Sequence, residues 1–283
     1  MIGAPHAMAD LQPDYAAFLA QHLPTQSGPL ACYRLGDGHV WLWRAGAFGH
    51  PLQRRLLALV ARLSHTPALR LPPAADVATQ RQGLQALDAH GLRAAQVLAS
   101  HDDGLLLRDP GSGSHTPTTL EDALHAADSD GADALLTLWR QGLALIDAAH
   151  AAGLSLRGAL ASDLRVCADQ GLACTGVDGA GANALPLELR QVRDALGYLW
   201  STAGCLHLAG QREAARPLWD AWVASPVRGH AFRTALTQHL SRLSWLRYLP
   251  PDSRWGSATY QMRAAYEQAT RPRYGEAPAA KPL

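Results

Sequence analysis

The sequence has almost no lysine. Of its 25 basic residues only Lys281 is a lysine, and it lies two residues from the end. The basic residues are balanced by 24 acidic ones, which leaves a formal net charge of +1. Such a balance creates no overall field that would attract nucleic acid, so we expect no nucleic-acid partner and only local electrostatic attraction. Chemistry that needs a lysine within the body of the chain is excluded.

Cysteine is also scarce, and its spacing does not indicate a metal site. Cys32, Cys167, Cys174 and Cys205 form no CxxC pair, and none has a histidine at zinc-ligand spacing. The 13 histidines likewise form no HxxxH or HxH pair. We therefore expect reduced thiols in the core and no structural metal.

Motifs of several common function classes are missing. The sequence has no GxSxG motif of a serine hydrolase, and no GxGxxG motif follows a first strand as a dinucleotide-binding fold requires. No apolar run approaches the roughly 18 to 20 residues that span a bilayer, and no secretory signal pattern is present. These absences predict a cytoplasmic protein.

The chain does contain enough apolar residues for a sizeable core. Of 283 residues, 48% are hydrophobic, which suits one large or two-lobed domain. We divide it into an N-terminal extension (1–28), a first lobe (29–109), a linker (110–117), a helical second lobe (118–270) and a tail (271–283). We expect the extension and the tail to be poorly ordered.

The first lobe is predicted to contain a hairpin, a helix and two further strands. Aromatic and β-branched residues at 32–35 and 40–44 flank the turn-forming Gly36-Asp37-Gly38, which is typical of a hairpin. A helix is predicted from 77 to 90, because Gly91 follows the apolar periodicity. Short apolar runs at 95–98 and 105–107 predict strands.

Between these elements, residues 51–63 predict an amphipathic helix with a basic face. Its apolar face is predicted to consist of Leu52, Leu56, Leu59, Val60 and Leu63. The surrounding segment from Arg34 to Arg70 has six arginines and one acid, Asp37. It is either a solvated helix face or a surface for an anionic membrane or a lipid-linked phosphate.

The second lobe is predicted to be mainly helical. Thr118 and Glu121 have the spacing of a capping box, so a helix should start there. A long helix is predicted from 133 to 152, and helical periodicity covers most of 186–269.

The two helical stretches are separated by a loop and a short hairpin. Residues 154–166 lead to a turn at 169–171, and residues 172–179 end in Val177-Asp178-Gly179. This order resembles the catalytic loop, hairpin and metal-binding aspartate of protein-kinase-like enzymes. The resemblance implies an α+β, two-lobed fold with a small antiparallel-sheet N-lobe and a mainly helical C-lobe.

Weaker matches point to a smaller group within the protein-kinase-like enzymes. Residues 79–87, 105–109 and 150–154 are similar to a helix, a strand and a helix end of compact bacterial kinases. The group is that of the lipopolysaccharide core heptose and Kdo kinases, together with the kinase subunit of the KEOPS complex. The resemblance covers roughly residues 30 to 200, and its specificity lies in the order of the matches, since no single motif is intact.

The resemblance also implies which groups have been lost in the first lobe. Trp43 falls where these kinases place the phosphate-binding lysine, with Arg44 beside it as a candidate replacement. Gln80 falls where they place the glutamate that pairs with that lysine. Both partners of the ion pair have changed, which leaves Arg44 and Gln80 as the candidate nucleotide-binding residues.

In the second lobe the resemblance places Gly158 at the position of the catalytic aspartate. Asp163 falls at the metal-binding asparagine, and Asp178, followed by Gly179, is unaltered. Glycine has no side chain to accept a proton, so no catalytic residue is assigned. Carboxylate oxygens suit magnesium, so Asp163 and Asp178 are the predicted metal ligands.

Three hypotheses follow. The first is a pseudokinase with a binding or scaffolding role in cell-envelope or lipopolysaccharide-type processes, peripheral to the inner membrane, with an unknown protein partner. The second is a divergent ATP-dependent phosphotransferase acting on a sugar or lipid-linked hydroxyl through Arg44, Asp163 and Asp178. ATP and Mg²⁺ are the ligands that the resemblance implies, and a fully degraded member would bind neither. The third is an unrelated α+β protein.

Overall fold

The computed structural model describes residues 14–36, 38–46, 51–70, 72, 75–111, 115–176, 185–250 and 256–270, without the side chains of 51–54, 128 and 130. The helices are α1 Tyr15–His22, α2 Pro51–Leu63, α3 Val77–Ala89, α4 Leu120–Asp130, α5 Ala132–Ala151, α6 Leu187–Leu208, α7 Arg212–Ala224, α8 His230–Arg242 and α9 Ser257–Ala269. The strands are β1 Leu30–Leu35, β2 Gly38–Arg44, β3 Gln96–His101, β4 Gly104–Arg108, β5 Thr118–Thr119, β6 Leu164–Val166 and β7 Leu172–Cys174.

A four-stranded antiparallel sheet forms the first lobe. Its strand order is β1-β2-β4-β3, and Trp41 on β2 lies opposite Cys32 on β1 and Leu107 on β4. Side chains alternate along each strand, so Val40 and Leu42 leave one face of the sheet while Trp41 leaves the other. The predicted hairpin, helix and two strands of this lobe are confirmed.

Helix α1 covers one face of this sheet. Leu19 and Leu23 are buried there against Val40, Leu42 and Leu106. Asp14 caps the helix, because its carboxylate accepts a hydrogen bond from the backbone N–H of Ala17. The expectation of poor order for residues 1–28 is therefore wrong for 14–28, since two leucines of this segment are needed to close a second small core.

Helix α3 covers the other face. Leu84 and Leu87 are buried in the main core together with Trp41, Leu105 and Leu107. Arg81 at the exposed side of α3 donates to the hydroxyl of Ser100 on β3. The sheet is thus covered on both faces, which explains the near-continuous apolar sequence of β2 and β4.

The second lobe is built around α6, whose residues are buried over most of its length. A small antiparallel sheet, in the order β5-β6-β7, lies against α4 and α5. Helix α4 begins at Leu120, and its N-cap is Thr119, whose hydroxyl accepts the N–H of Asp122. The predicted capping box at Thr118 and Glu121 is therefore wrong by one residue. The chain is α+β, with a small antiparallel sheet in one lobe and mainly helices in the other.

Helix α2 has the predicted bounds, and its predicted apolar face is correct in part, since Val60 is buried in the core and Leu56 packs against it. It buries Leu57, Val60 and Ala61, while Leu59 and Leu63, which were expected on the apolar face, are exposed. The helix has two apolar stripes, and contact with the rest of the protein selects only one of them.

The segment that follows α2 lies against the second lobe. Trp245 donates its indole N–H to the hydroxyl of Ser64 at 3.0 Å, and Arg242 donates to the carbonyl of His65 at 2.7 Å. Leu69 lines an apolar cavity together with Leu196 of α6. The end of α2 is therefore attached to the helical lobe.

Several sequence predictions lie at least in part outside the described residues, among them residues 1–13 of the extension, residues 112–114 of the linker, the side chain of Leu52 and Gly179. Others are Asp37 in the hairpin turn, Asp178 and the tail 271–283. In the part of the chain that is described, no helix is both long and apolar enough to cross a membrane.

Candidate functional site

The loop after α5 has an unusual backbone. Arg157, Gly158 and Ala159 all have positive φ, at 58°, 113° and 45°. Left-handed conformations cost free energy in residues with a Cβ atom, so a run that includes Arg157 and Ala159 must be stabilised by its surroundings. The residues that supply this stabilisation come from α6.

Asp194 of α6 holds the loop through its carboxylate. Its two oxygens accept the backbone N–H groups of Leu156 and Gly158, both at 2.7 Å, and His150 donates from Nε2 at 3.1 Å. Asp194 is completely buried. A buried carboxylate must have such donors, because leaving it without them would be costly. Asp194 therefore fixes the position of Gly158 through its backbone.

Two further residues of α6 extend this attachment. A Cβ atom on Gly197 would lie 1.9 Å from the carbonyl oxygen of Gly158, so only glycine permits the observed approach. One turn later, the hydroxyl of Ser201 accepts the N–H of Ala161 at 2.9 Å. Asp194, Gly197 and Ser201 follow the i, i+3, i+7 spacing of one helix face and form what we call the loop cradle.

Asp163 ends this loop and is exposed. Its carbonyl accepts the hydroxyl of Thr175 at 2.8 Å. The carbonyl of Thr175 in turn accepts the side-chain N–H of Gln80. Thr175 thus joins the predicted metal ligand Asp163 to the predicted nucleotide residue Gln80, three positions before Asp178.

Gln80 is buried, although it belongs to α3 of the first lobe. Gly176 packs against its side-chain amide, since a Cβ atom there would lie 2.8 Å from Gln80 Oε1. The residue that replaces the expected glutamate therefore serves as a neutral contact between α3 and the β7 segment.

Arg44 is not brought to this region. It leaves β2 on the same side as Leu42, and its guanidinium donates to the backbone carbonyl of Gln26. Trp43 leaves the strand on the opposite side and packs against the main core. The structure therefore brings Gln80 and Asp163 together and separates Arg44 from both. The assignment of Arg44 to nucleotide binding remains a prediction.

Arg165 on β6 was not singled out from the sequence. Burial lowers the pKa of its guanidinium, and the charges of Asp163 and of the Cys32 thiol lie near enough to counteract this in part. Its Nε atom is buried, and no hydrogen-bond partner for it is found among the described residues. A cation between two apolar residues of a short strand, Leu164 and Val166, is the signal that could have identified it.

Asp109 lies where the chain passes from β4 to the second lobe. It is buried, and burial raises the pKa of its carboxyl even though the N–H of Ala168 donates to it. Burial and the neighbouring Asp109 raise the pKa of the Cys167 thiol to about 12. Cys167 is therefore a neutral thiol, and Cys167 and Cys174 are buried as expected of core cysteines, whereas Cys32 is exposed and Cys205 is only partly buried.

The ion pair of Arg93 and Asp169 also connects the first lobe to the second. The guanidinium donates two hydrogen bonds, at 2.5 and 2.7 Å, to the two carboxylate oxygens. These bonds lower the pKa of Asp169 to about 2. Bidentate geometry of this kind is the most favourable form of such a pair.

We expect this pair to make stability depend on pH at the acidic end. Because the pKa is lower in the folded protein than the ordinary value of 3.8, its contribution is complete above about pH 5 and is lost as the pH falls through 3.8 towards 2. In urea unfolding, the wild type should lose stability relative to Asp169→Asn over this interval. Parallel curves for the two proteins between pH 5 and pH 2 would contradict the assignment, and Asp102→Asn at an exposed position is the control.

A metal site is not formed by the described residues alone, since no three His, Cys, Asp or Glu side chains among them come together. Asp163 is the one predicted ligand whose position is known, and its predicted partner Asp178 lies outside the described residues. Comparison of the chain with protein-family models, with curated proteins and with solved structures gives no match.

Proposed function

We propose that the chain is a kinase-like protein that has lost phosphoryl transfer and acts by binding. The observation that carries this proposal is Gly158. Asp194 holds it in a defined position by its backbone N–H, yet no acid occurs from 152 to 162. Phosphoryl transfer depends on positioned charge, and this loop keeps the positioning without the charge.

The first lobe supports the same conclusion. Trp43 occupies the position at which the kinase resemblance implies a lysine, and it packs against the core. Gln80, at the position of the lysine's partner, contacts Thr175 by its amide. Both residues have structural contacts that a lysine and a glutamate would not make, so the two losses are accommodated by the fold.

Binding of an anion where the two lobes meet is supported by Arg165. A guanidinium with a buried Nε atom is costly unless an acceptor faces it. Burial and Asp109 raise the pKa of the Cys32 thiol of the first lobe, and Arg165 lies close enough to counteract this rise in part. An anionic group of a ligand placed between β1 and β6 would compensate this cation, and no metal ion is needed for that contact.

The test is a thermal-shift titration with ATP, with and without Mg²⁺. A ligand that binds only the folded state raises the melting temperature. We expect Mg²⁺ to add nothing to any shift with ATP, and we expect no transfer of phosphate. If Mg²⁺ increases the ATP-induced rise in melting temperature by about 2 °C or more, the proposal is contradicted, since ATP would then bind together with the metal ion.

A divergent phosphotransferase remains the second candidate, and one observation favours it. Gln80 and Asp163 converge on Thr175, three residues before Asp178. If the protein is a phosphotransferase, Mg²⁺ should increase the rise in melting temperature with ATP, and this increase should be lost in both Asp163→Ala and Asp178→Ala. Asp133→Ala at an exposed position on α5 is the matched control. By the kinase resemblance its acceptor would be the hydroxyl of a sugar or of a lipid-linked sugar.

A further inference from the structure

The exposed face of α2 combines leucines with arginines. Arg55, Leu59, Arg62 and Leu63 are spaced i, i+4, i+7 and i+8, so they share one side of the helix. All four are exposed, and the leucines are 51% and 66% accessible. Leucines this accessible leave more than half of their surface in contact with solvent.

The short 3₁₀ helix Ser244–Tyr248 lies next to the end of α2. Trp245 hydrogen bonds to Ser64, the residue directly after Leu63. Trp245 and Tyr248 are 37% and 78% exposed, and they are separated by one turn of the 3₁₀ helix. Two leucines, a tryptophan and a tyrosine therefore lie exposed on adjoining elements, and we call this surface the apolar-basic face.

The two segments that form this face carry charge of one sign. Residues 38–75, which include α2, contain no aspartate or glutamate, and neither do residues 221–251, which include the 3₁₀ helix. Arg242 anchors the junction through the carbonyl of His65, and Arg247 lies over the ring of Tyr248. The fold has brought two acid-free, arginine-bearing segments together in a protein whose net charge is only +1.

We propose that the apolar-basic face docks on an anionic lipid bilayer. Arginines attract the headgroups, leucines insert among the acyl chains, and tryptophan and tyrosine sit at the boundary between them. Projecting leucines can insert into a fluid bilayer, whereas a peptide partner would be bound in a groove on the protein surface. This inference is independent of nucleotide binding in the space between the lobes.

The experiment is flotation of the full chain with two kinds of vesicle. One kind contains phosphatidylcholine alone, and the other contains phosphatidylcholine with about 30% phosphatidylglycerol, which makes its surface strongly anionic. We expect binding to the anionic vesicles, weakened by salt because the attraction is partly electrostatic. The double variant Leu59→Ser/Leu63→Ser should bind about tenfold more weakly, and Arg55→Gln/Arg62→Gln about tenfold or more.

Matched controls exist on other surfaces. Leu208 is 70% exposed at the end of α6, and Arg140 is exposed on α5. Leu208→Ser and Arg140→Gln should bind vesicles as the wild type does. All of these are surface positions, and equal melting temperatures show that a loss of binding is not a loss of folding.

Three results would overturn the proposal. The first is equal binding of the wild type and both double variants to anionic vesicles. The second is absence of vesicle binding together with a dimer that Leu59→Ser/Leu63→Ser dissociates, which would make the face an interface between two copies. The third is binding of an acidic peptide without binding of vesicles, which would make the partner a protein.

Discussion

Replacing Asp194 by alanine should destabilise the protein more than any other single change on α6, by about 3–5 kcal/mol. The substitution leaves the N–H groups of Leu156 and Gly158 and the Nε2 atom of His150 without their shared acceptor. Each buried donor that loses its partner costs roughly 1–3 kcal/mol. Such a loss is a large share of the 5–15 kcal/mol that typically separates folded from unfolded protein.

Urea unfolding of three variants measures this effect. Asp194→Asn keeps the shape and one acceptor oxygen, so its loss should be about half that of Asp194→Ala. Glu188→Ala on the same helix is the control, because Glu188 is exposed and its removal should cost under about 1 kcal/mol. If Asp194→Ala costs no more than Glu188→Ala, Asp194 does not hold the loop.

Gly197→Ala should be the second strongly destabilising change, although alanine is the better helix former. The new Cβ atom would lie 1.9 Å from the carbonyl oxygen of Gly158. The backbone of α6 fixes the Cβ position and the loop backbone fixes the oxygen, so no side-chain rotation can relieve the clash. Overpacking of this kind costs about 3 kcal/mol, whereas the gain in helix propensity is about 1 kcal/mol. We expect a net loss of about 2 kcal/mol or more in urea unfolding.

Gly204→Ala is the matched control for this prediction. It lies on the same helix and gains the same propensity, but its Cβ atom would meet only the side chain of Gln261, at 3.3 Å. That side chain can move by a few tenths of an ångström, so Gly204→Ala should be neutral or stabilising by up to about 1 kcal/mol. Equal stabilities for the two alanine variants would show that α6 and the loop are not in close contact.

The sequence predicted the elements of the first lobe well because their signals are local. The Gly36-Asp37-Gly38 turn and its apolar flanks define β1 and β2, and Gly91 ends α3 within two residues of the predicted position. Helix α1 was not predicted, because it is stable only where Leu19 and Leu23 meet the outer face of the sheet. Contacts between segments distant in sequence are not visible in local periodicity.

The candidate site was less predictable, since its most important residue acts at a distance. Asp194 contacts a loop 36 positions earlier in the chain, and α6 otherwise reads as a core helix. An aspartate beside Ala195 in an apolar stretch is the only local sign of this role. Likewise, the periodicity of α2 contains two apolar stripes. Only the contacts that α2 and the following Ser64 make with the rest of the protein determine which stripe is buried.

The attachment of α2 to the second lobe limits how the two lobes can move. The chain passes from the first lobe to the second between β2 and α2, returns between Leu69 and α3, and passes again after Asp109. A pair of bodies joined by a single covalent link can rotate about it, but three separate passages at different places constrain that rotation. Any movement of one lobe relative to the other therefore requires backbone changes at all three passages together, so we expect little rotation between the lobes.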